Sequence, residues 1–418
     1  MKRLSLILTV AVLAVSCSVS RNLRSVPFEE TPDMGAAVFD SIDANWRPLA
    51  KTIAQEGKLI PVSGNTAQIF TEGHSKFAVF NEDLEKAEKY IDMEYYRFDA
   101  DSIAHIVKDI LVDKANEGVP VRIIMETRSN PPKIAFYKPL KKVASVIAAQ
   151  PLKDVWGSLW NLNYRDHRKI VVIDGKYCYT GGMNISDDYW INWRDTHIRL
   201  EGPIVRDFEH MYDYFWQYFS GQPADERPVD SPASEGGAIM QLAHGGKFTK
   251  TRPIKEGFEQ ALAAAKQYFY IQTPYLCPPK STIKAMKEAV ERGVDVRLML
   301  PKTQDVPVML WVNHYFYKEM LEAGVRIFER EEPFMHSKTF VADDYMSCYG
   351  SANIDNRSYF INYESNVYIY DDEIGVQSRQ IFEEDLTHSE EVKLENLHWP
   401  LWERFMQKFV IIVGYPQW

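Results

Sequence analysis

Apolar and polar positions along this chain follow a pattern that occurs twice. The first copy runs Ala87-Glu88-Lys89-Tyr90-Ile91-Asp92-Met93-Glu94 and later Glu117-Gly118-Val119-Pro120-Val121-Arg122-Ile123-Ile124-Met125. The second runs Ala265-Lys266-Gln267-Tyr268-Phe269-Tyr270-Ile271-Gln272 and later Arg292-Gly293-Val294-Asp295-Val296-Arg297-Leu298-Met299-Leu300. In each, the end of an amphipathic helix leads into an apolar strand, and a second helix follows. A Gly then marks that helix's stop before another strand. This alternation predicts an α/β protein of two like halves, each a sheet covered by helices. Two long copies make a duplication, not a solenoid. The stretch 221–237 (GQPADERPVDSPASEGG) is rich in Pro, Gly and Ser and has no apolar period, so it reads as the connection between the halves. The expected division is a leader over 1–17, an N-terminal linker region over 18–58, a first half over 59–220, the connection over 221–237 and a second half over 238–418.

Composition narrows the function classes. The 418 residues carry 48 basic and 58 acidic side chains, a net charge of −10, with 45% hydrophobic and 25% charged residues. These are ordinary globular proportions. An acidic balance argues against a nucleic-acid partner, which needs a surplus of Lys and Arg, although a local basic patch would survive in such a chain. No apolar run reaches the roughly 20 residues that cross a bilayer, which excludes a polytopic membrane protein. The four cysteines, 17, 178, 277 and 348, have neither zinc-ligand nor disulfide-framework spacing. Cys178 lies in the strand-like run VVIDGKYCYT and reads as a small core residue.

Cys17 has a different context. Lys2 and Arg3, an apolar core from Leu4 to Val15 and small residues up to Ser16 make a secretory signal. Leu13-Ala14-Val15-Ser16-Cys17 resembles a bacterial lipoprotein box, with Ala14 where Leu is preferred. The expectation is lipidation of Cys17, against a plain signal peptide or an uncleaved short anchor. Arg21 and Arg24, just beyond, would meet anionic head groups.

The chemistry is concentrated late in each half. His167-Arg168-Lys169 is followed by Asp174, Gly181-Gly182 and Asn184; His336-Ser337-Lys338 is followed by Asp343, Gly350-Ser351 and Asn353. In both, Lys, Asp, Gly and Asn stand at the same offsets from His. One such pattern is expected by chance on the order of 10⁻⁷ per start position. On a strand, residues i and i+2 share a face, so His167 projects with Lys169 and His336 with Lys338. An imidazole beside an ammonium, with an Asn amide returned by the next strand, makes an anion site without metal. Two such sites facing each other set two imidazoles on opposite sides of one phosphorus. Asp174 and Asp343 have the opposite parity and are expected to brace turns at the strand ends. Asp195 stands 28 residues after His167 and Glu364 stands 28 after His336. A carboxylate at one shared offset is expected to accept the ring N–H of its own His and fix the tautomer. The other histidines (74, 105, 197, 210, 244, 314, 388 and 398) lack this repeated company and read as surface or core residues.

The paired motifs, with their trailing GGxN and GSxN, resemble the phospholipase D superfamily, and within it bacterial cardiolipin synthases. The resemblance spans roughly residues 60–395, including Trp193-Arg194-Asp195-Thr196, Thr273-Pro274-Tyr275, Gly350-Ser351-Ala352-Asn353-Ile354-Asp355 and Arg357-Ser358. It implies the phospholipase D fold, two pseudo-twofold related halves each with a mixed sheet flanked by helices, sharing one active site. It also implies phosphatidyl transfer between two phosphatidylglycerol molecules through a phosphatidyl-histidine, with His167 as nucleophile and His336 as acid–base. Lys169, Lys338, Asn184 and Asn353 would stabilise the phosphorus charge, and Asp174 and Asp343 complete the catalytic motif. No cofactor and no metal are implied; the partners are a phospholipid and a membrane surface on the extracytoplasmic side, not nucleic acid. The alternative is a hydrolase or a transphosphatidylase on other phospholipids. The two-helix N-terminal anchor of long synthases is missing. Glu126-Thr127-Arg128-Ser129-Asn130 replaces an Asp-Gly turn, and the tail from Val410 to Trp418 departs from the usual ending. Residues 131–160 interleave Lys133, Lys138, Lys141, Lys142 and Lys153 with Phe136, Tyr137, Trp156 and Trp160. They read either as an anionic-membrane contact or as a helix packed on its own domain. Val308 to Met320 is expected to be a core helix.

Overall fold

The computed structural model describes residues 36–126, 129, 134–149, 163–224, 227–228, 230–246 and 251–414. The first half contributes β1 (Val62–Phe70), β2 (Ile91–Tyr95), β3 (Val121–Glu126), β4 (Ser145–Ala149), β5 (Lys169–Ile173), β6 (Tyr177–Gly181) and β7 (His197–Glu201). The second contributes β8 (Ala238–Gly245), β9 (Tyr268–Gln272), β10 (Leu276–Cys277), β11 (Asp295–Pro301), β12 (Arg326–Arg330), β13 (Thr339–Ala342), β14 (Met346–Gly350), β15 (Ile354–Asp355), β16 (Glu364–Tyr370) and β17 (Ser389–Val392). Fifteen of these strands form one sheet in the order β17-β12-β11-β9-β13-β14-β16-β8-β1-β7-β6-β5-β2-β3-β4, while β10 and β15 pair separately. Outward from its centre, the sheet runs β1, β7, β6, β5, β2, β3, β4 on one side and β8, β16, β14, β13, β9, β11, β12 on the other. The two series are equivalent strand for strand, with β17 added at one edge. β2–β3–β4 and β9–β11–β12 are parallel and the inner strands antiparallel, so each half is a mixed sheet.

Local chemistry sets the boundaries. The helix Ser102–Asn116 starts at Asp101, whose carboxylate accepts the Ala104 N–H. After it, Gly118 takes φ 95°, and Gly293 takes φ 90° after the equivalent helix Lys280–Glu291. That left-handed turn favours Gly at each point where the chain swings from helix into parallel strand. The helix Ile204–Ser220 buries Ile204, Val205, Phe208, Met211, Tyr212, Phe215, Trp216 and Phe219. It packs over β7 and on Leu242, Val367 and Ile369 of the second half, joining the halves in one core. Each such side chain, fully buried, contributes about 1.5–3 kcal/mol.

Residues 36–57, expected to be linker, instead form the helices Ala36–Ser41 and Arg47–Gly57. Trp46, Leu49, Ala50 and Ile53 are buried against Ile254 and Phe258 of the second half. The helix expected at Val308–Met320 spans Pro307–Glu322 and buries Met309, Val312, Phe316, Tyr317 and Met320. In the basic–aromatic stretch, Phe136 and Tyr137 pack inward on Phe98, while Lys138, Lys141 and Lys142 are exposed. Lys133, Lys153, Trp156 and Trp160 lie outside the described residues, as do the leader with Cys17 and the last four residues. Cys178, Cys277 and Cys348 are buried and unpaired. Among the described residues, no helix is long and apolar enough to cross a membrane.

Candidate active site

The two motif histidines lie just before equivalent strands, His167 before β5 and His336 before β13. The backbone of each is tied to the opposite half. His167 N–H donates to Tyr363 O at 3.0 Å and Tyr363 N–H to Arg165 O at 2.8 Å. His336 N–H donates to Arg194 O at 2.7 Å and Arg194 N–H to Phe334 O at 2.9 Å. Tyr363 immediately precedes Glu364 and Arg194 immediately precedes Asp195, so each tether carries a carboxylate across the junction.

This overturns the expectation that each carboxylate serves the His of its own half. His167 Nδ1 lies 3.0 and 3.1 Å from the carboxylate oxygens of Glu364, and His336 Nδ1 lies 2.8 Å from Asp195 Oδ2. All four side chains are buried. With Nδ1–H given to a carboxylate, Nε2 is left as the reactive nitrogen of each ring.

The surroundings of the two pairs differ. Glu364 also accepts from Ser358 Oγ at 2.9 Å, from Asn362 Nδ2 at 3.0 Å and from Ser351 Oγ. Despite complete burial, His167, Lys169 and the Ser351 hydroxyl hold its pKa below the ordinary carboxylate value. Asp195 has the Thr196 N–H at 2.7 Å and His336, and burial pushes it up to about 6. Burial lowers the pKa of His167, with Glu364 opposing and Lys169 and Lys338 adding to the fall. Burial holds His336 well below the ordinary range, with Lys338 the next cause.

The lysines sit as their parity predicts. Lys169 Nζ donates to His167 O at 2.6 Å. Lys338 Nζ lies 2.7 Å from Nδ1 and 3.1 Å from Nε2 of the His336 ring. Burial lowers Lys169 to about 7, with Lys338 adding to the fall, and lowers Lys338 to about 8. Burial thus outweighs the carboxylates that favour the charged lysines, Glu364 and Asp195 foremost, and a bound phosphate would add to that favourable charge. Asn184 is buried, and its Oδ1 accepts the Arg97 N–H at 3.2 Å. Asn353 is buried with its Oδ1 lacking a hydrogen-bond partner.

Asp174 and Asp343 do not reach this site. Asp174, at φ 57°, accepts the N–H groups of Glu88, Lys89 and Tyr90 at 2.7–3.0 Å. Asp343, at φ 53°, accepts those of Lys266, Gln267 and Tyr268 at 2.8–3.0 Å. Counting them among the catalytic groups is thereby corrected: they pin the start of β2 and β9 at the far ends of β5 and β13.

Several neighbours carried no signal in the repeat. Tyr96 packs edge-on at 4.7 Å from the His167 ring, and Tyr189 and Trp193 stand 5.4 and 5.5 Å from His336. Tyr275, 6.2 Å from His336, donates its hydroxyl to Asp305 at 2.7 Å. Ser351 and Ser358 belong to stretches singled out in the sequence, but their role beside Glu364, like that of Asn362, carried no signal there. Away from the site, Asp92, Glu209 and Asp213 bring carboxylate oxygens within 4.8 Å of one another. Arg122 lies among them, within 2.5–3.6 Å of all three, so a cation already occupies that cluster.

The chain is similar to known proteins over most of its length. A family model described as "Cardiolipin synthase, PLD-like domain" matches residues 68–219 and again 258–386. Cardiolipin synthase 1 of Staphylococcus epidermidis is 32% identical over 353 residues, 82% of this chain and 72% of that protein. The major cardiolipin synthase of Bacillus subtilis is 32% identical over 384 residues, 89% of this chain and 78% of that protein. Among solved structures, the phosphatidylserine synthase of Haemophilus influenzae superposes with a TM-score of 0.64 at 12% identity, covering 88% of this chain and 97% of that one. At that identity the likeness speaks for the fold alone.

Proposed function

Because the chain belongs to the cardiolipin synthase family of PLD-like proteins, we propose that it transfers the phosphatidyl group of one phosphatidylglycerol to a hydroxyl of a second, forming cardiolipin and glycerol. The observation that carries this reading is the pair of imidazoles, each with Nδ1 held by a buried carboxylate from the opposite half. Such a site has two reactive nitrogens, as a two-step transfer through a covalent intermediate requires.

In the first step His167 Nε2 attacks phosphorus and the bond to the glycerol oxygen breaks, while His336 gives that oxygen its proton. In the second, a hydroxyl of the incoming phosphatidylglycerol gives its proton to His336 as its oxygen attacks phosphorus and the P–N bond breaks. Glu364 supports His167 as nucleophile, because a carboxylate that stays ionised stabilises the positive ring formed on attack. Lys169, Lys338, Asn184 and Asn353 supply the charge and hydrogen bonds that the extra phosphorus oxygens demand. Whether the product is cardiolipin depends on a lipid alcohol outcompeting water in the second step. The enzyme works at an extracytoplasmic membrane face, tied there by acyl chains on Cys17, each buried CH₂ contributing about 0.8 kcal/mol.

Purified protein with phosphatidylglycerol vesicles, products read by mass spectrometry, tests the reading. Cardiolipin with one glycerol per turnover is the expected result, unchanged by a metal chelator. Phosphatidic acid alone would replace synthesis with hydrolysis. Acyl label retained in a Cys17→Ser variant would remove the lipid anchor.

A further inference from the structure

The helix Leu401–Gly414 turns an apolar face to solvent. Leu401 is 82% exposed, Trp402 60%, Phe405 64%, Phe409 38% and Ile412 80%. Leu401, Phe405, Phe409 and Ile412 follow the i, i+4, i+8, i+11 spacing of one helix face, and Phe405 and Phe409 stack at 6.0 Å. Its other side is already partnered: Gln407, Val410, Ile411 and Gly414 are buried, and Glu403 turns to His314 Nδ1 at 3.3 Å. Among the described residues, nothing covers the outward face.

We propose that this face docks on an anionic phospholipid bilayer and holds the mouth of the active site against it. Charge complementarity selects the occupant. Arg404 and Lys408 are exposed along one flank of the apolar face, while the helix's only acid is turned inward. In a chain of net charge −10, a patch of aromatics whose own helix exposes Arg404 and Lys408 and no acid matches an anionic lipid surface. A second copy of the chain would pair this face with itself about a twofold axis and bring the cations together unopposed. The position of the helix supports the same choice. Trp402 packs edge-on at 6.4 Å on Trp311 of the helix Pro307–Glu322, which exposes Tyr315 and is preceded by exposed Val306. That helix begins two residues after Asp305, which takes the hydroxyl of Tyr275 beside His336. Exposed apolar side chains thus stand on both packed helices, and the second begins close in sequence to the wall of the site. A lipid head group could reach the imidazoles from a bilayer seated there. The inference rests on the phosphatidyl-transfer reading only for the identity of that lipid.

The test uses the full chain with a spin label on an Ile412→Cys or Phe405→Cys variant in a Cys17→Ser background, the remaining cysteines being buried. On phosphatidylglycerol vesicles the label becomes accessible to oxygen and shielded from a water-soluble nickel relaxant; without vesicles it stays in water. A Phe405→Glu/Ile412→Glu variant raises the apparent KM on vesicles at least about tenfold and leaves turnover of detergent-dispersed substrate within about twofold. A label that stays in water on the vesicles overturns the proposal, as does a label shielded without lipid in a chain that runs as a dimer. Product analysis separates the two readings. Phosphatidic acid with a lipid-immersed label removes synthesis and leaves docking; cardiolipin with a water-exposed label removes docking and leaves synthesis.

Discussion

His167–Glu364 and His336–Asp195 occupy equivalent places about the pseudo-twofold axis, and the residues around them do not match. Where Glu364 receives Ser351, Ser358 and Asn362, the first half carries Gly182, Tyr189 and Trp193 at the corresponding positions, Gly182 directly against Asp195. No side chain fits at Gly182, since a Cβ there would lie 2.1 Å from Asp195 Oδ1. One carboxylate has four side-chain partners and is held below the ordinary carboxylate value. Among the described residues, the other has only its imidazole and the Thr196 N–H as hydrogen-bond partners and is pushed up by burial, with Lys338, Lys169 and Arg194 opposing. Duplication supplied two copies of a frame, and side-chain substitution around the frame gave its two nitrogens different electrostatics. A permanently ionised partner suits an imidazole that must carry a covalent phosphorus. A carboxylate pushed up to about 6 suits a pair that takes up and returns a proton each cycle.

The largest effect expected follows removal of either ring. His167→Ala and His336→Ala each reduce turnover of phosphatidylglycerol by roughly 10⁴-fold or more, because groups that act as a unit fail together. Full turnover by either variant would break the shared site. Replacing the carboxylates sharpens the contrast between the pairs. Glu364→Gln and Asp195→Asn each cost on the order of 10²-fold in kcat. In ring-proton or ring-nitrogen NMR, Glu364→Gln moves the titration of His167 and leaves that of His336, while Asp195→Asn does the reverse. The opposite assignment would refute the crossed pairing.

A smaller, reversible effect comes from pH. Asp195, raised to about 6, loses its negative charge as pH falls through that value, so kcat/KM declines on the acid side. Lys169 and Lys338, lowered to about 7 and about 8, lose their positive charge as pH rises through those values, which gives the alkaline limb. Bound phosphate favours the charged ammonium, so the alkaline limb of kcat lies at higher pH than that of kcat/KM. A kcat/KM flat from pH 5 to 9 would contradict these environments. The smallest catalytic effect belongs to Asp174→Ala and Asp343→Ala. Each leaves three backbone N–H groups without their acceptor and destabilises the fold by about 1–3 kcal/mol, read by chemical denaturation. Turnover of the folded fraction stays near that of the parent.

Much of this was legible before the fold. The fixed spacing of His, Lys, Asp, Gly and Asn located both motifs, and strand parity separated the lysines, which face the site, from Asp174 and Asp343, which do not. The crossing of Glu364 and Asp195 was not legible, for a reason of symmetry. Both stand 28 residues after a motif His, and a twofold axis exchanges them, so an equal offset fits pairing within a half and pairing between halves alike. Only the tethers through Tyr363 and Arg194 decide it, and these are tertiary contacts. The helix Arg47–Gly57 was missed because its apolar face is short and its partners, Ile254 and Phe258, lie some 200 residues further along the chain. The exposed face of Leu401–Gly414 shows the converse. Its periodicity was readable, but that nothing in the described fold covers it could only be seen in three dimensions.

In the proposed transfer the two rings divide the chemistry, His167 bonding to phosphorus and His336 moving the proton. This division is tested most directly by trapping the intermediate. A phosphatidyl ester of p-nitrophenol, whose leaving group needs no proton, is mixed with the His336→Ala and His167→Ala variants, quenched in alkali and mapped by mass spectrometry. The expected result is a phosphatidyl adduct on His167 that accumulates toward one per chain in His336→Ala, and none on His336 in His167→Ala. An adduct on His336, or equal labelling of the two variants, would contradict the division.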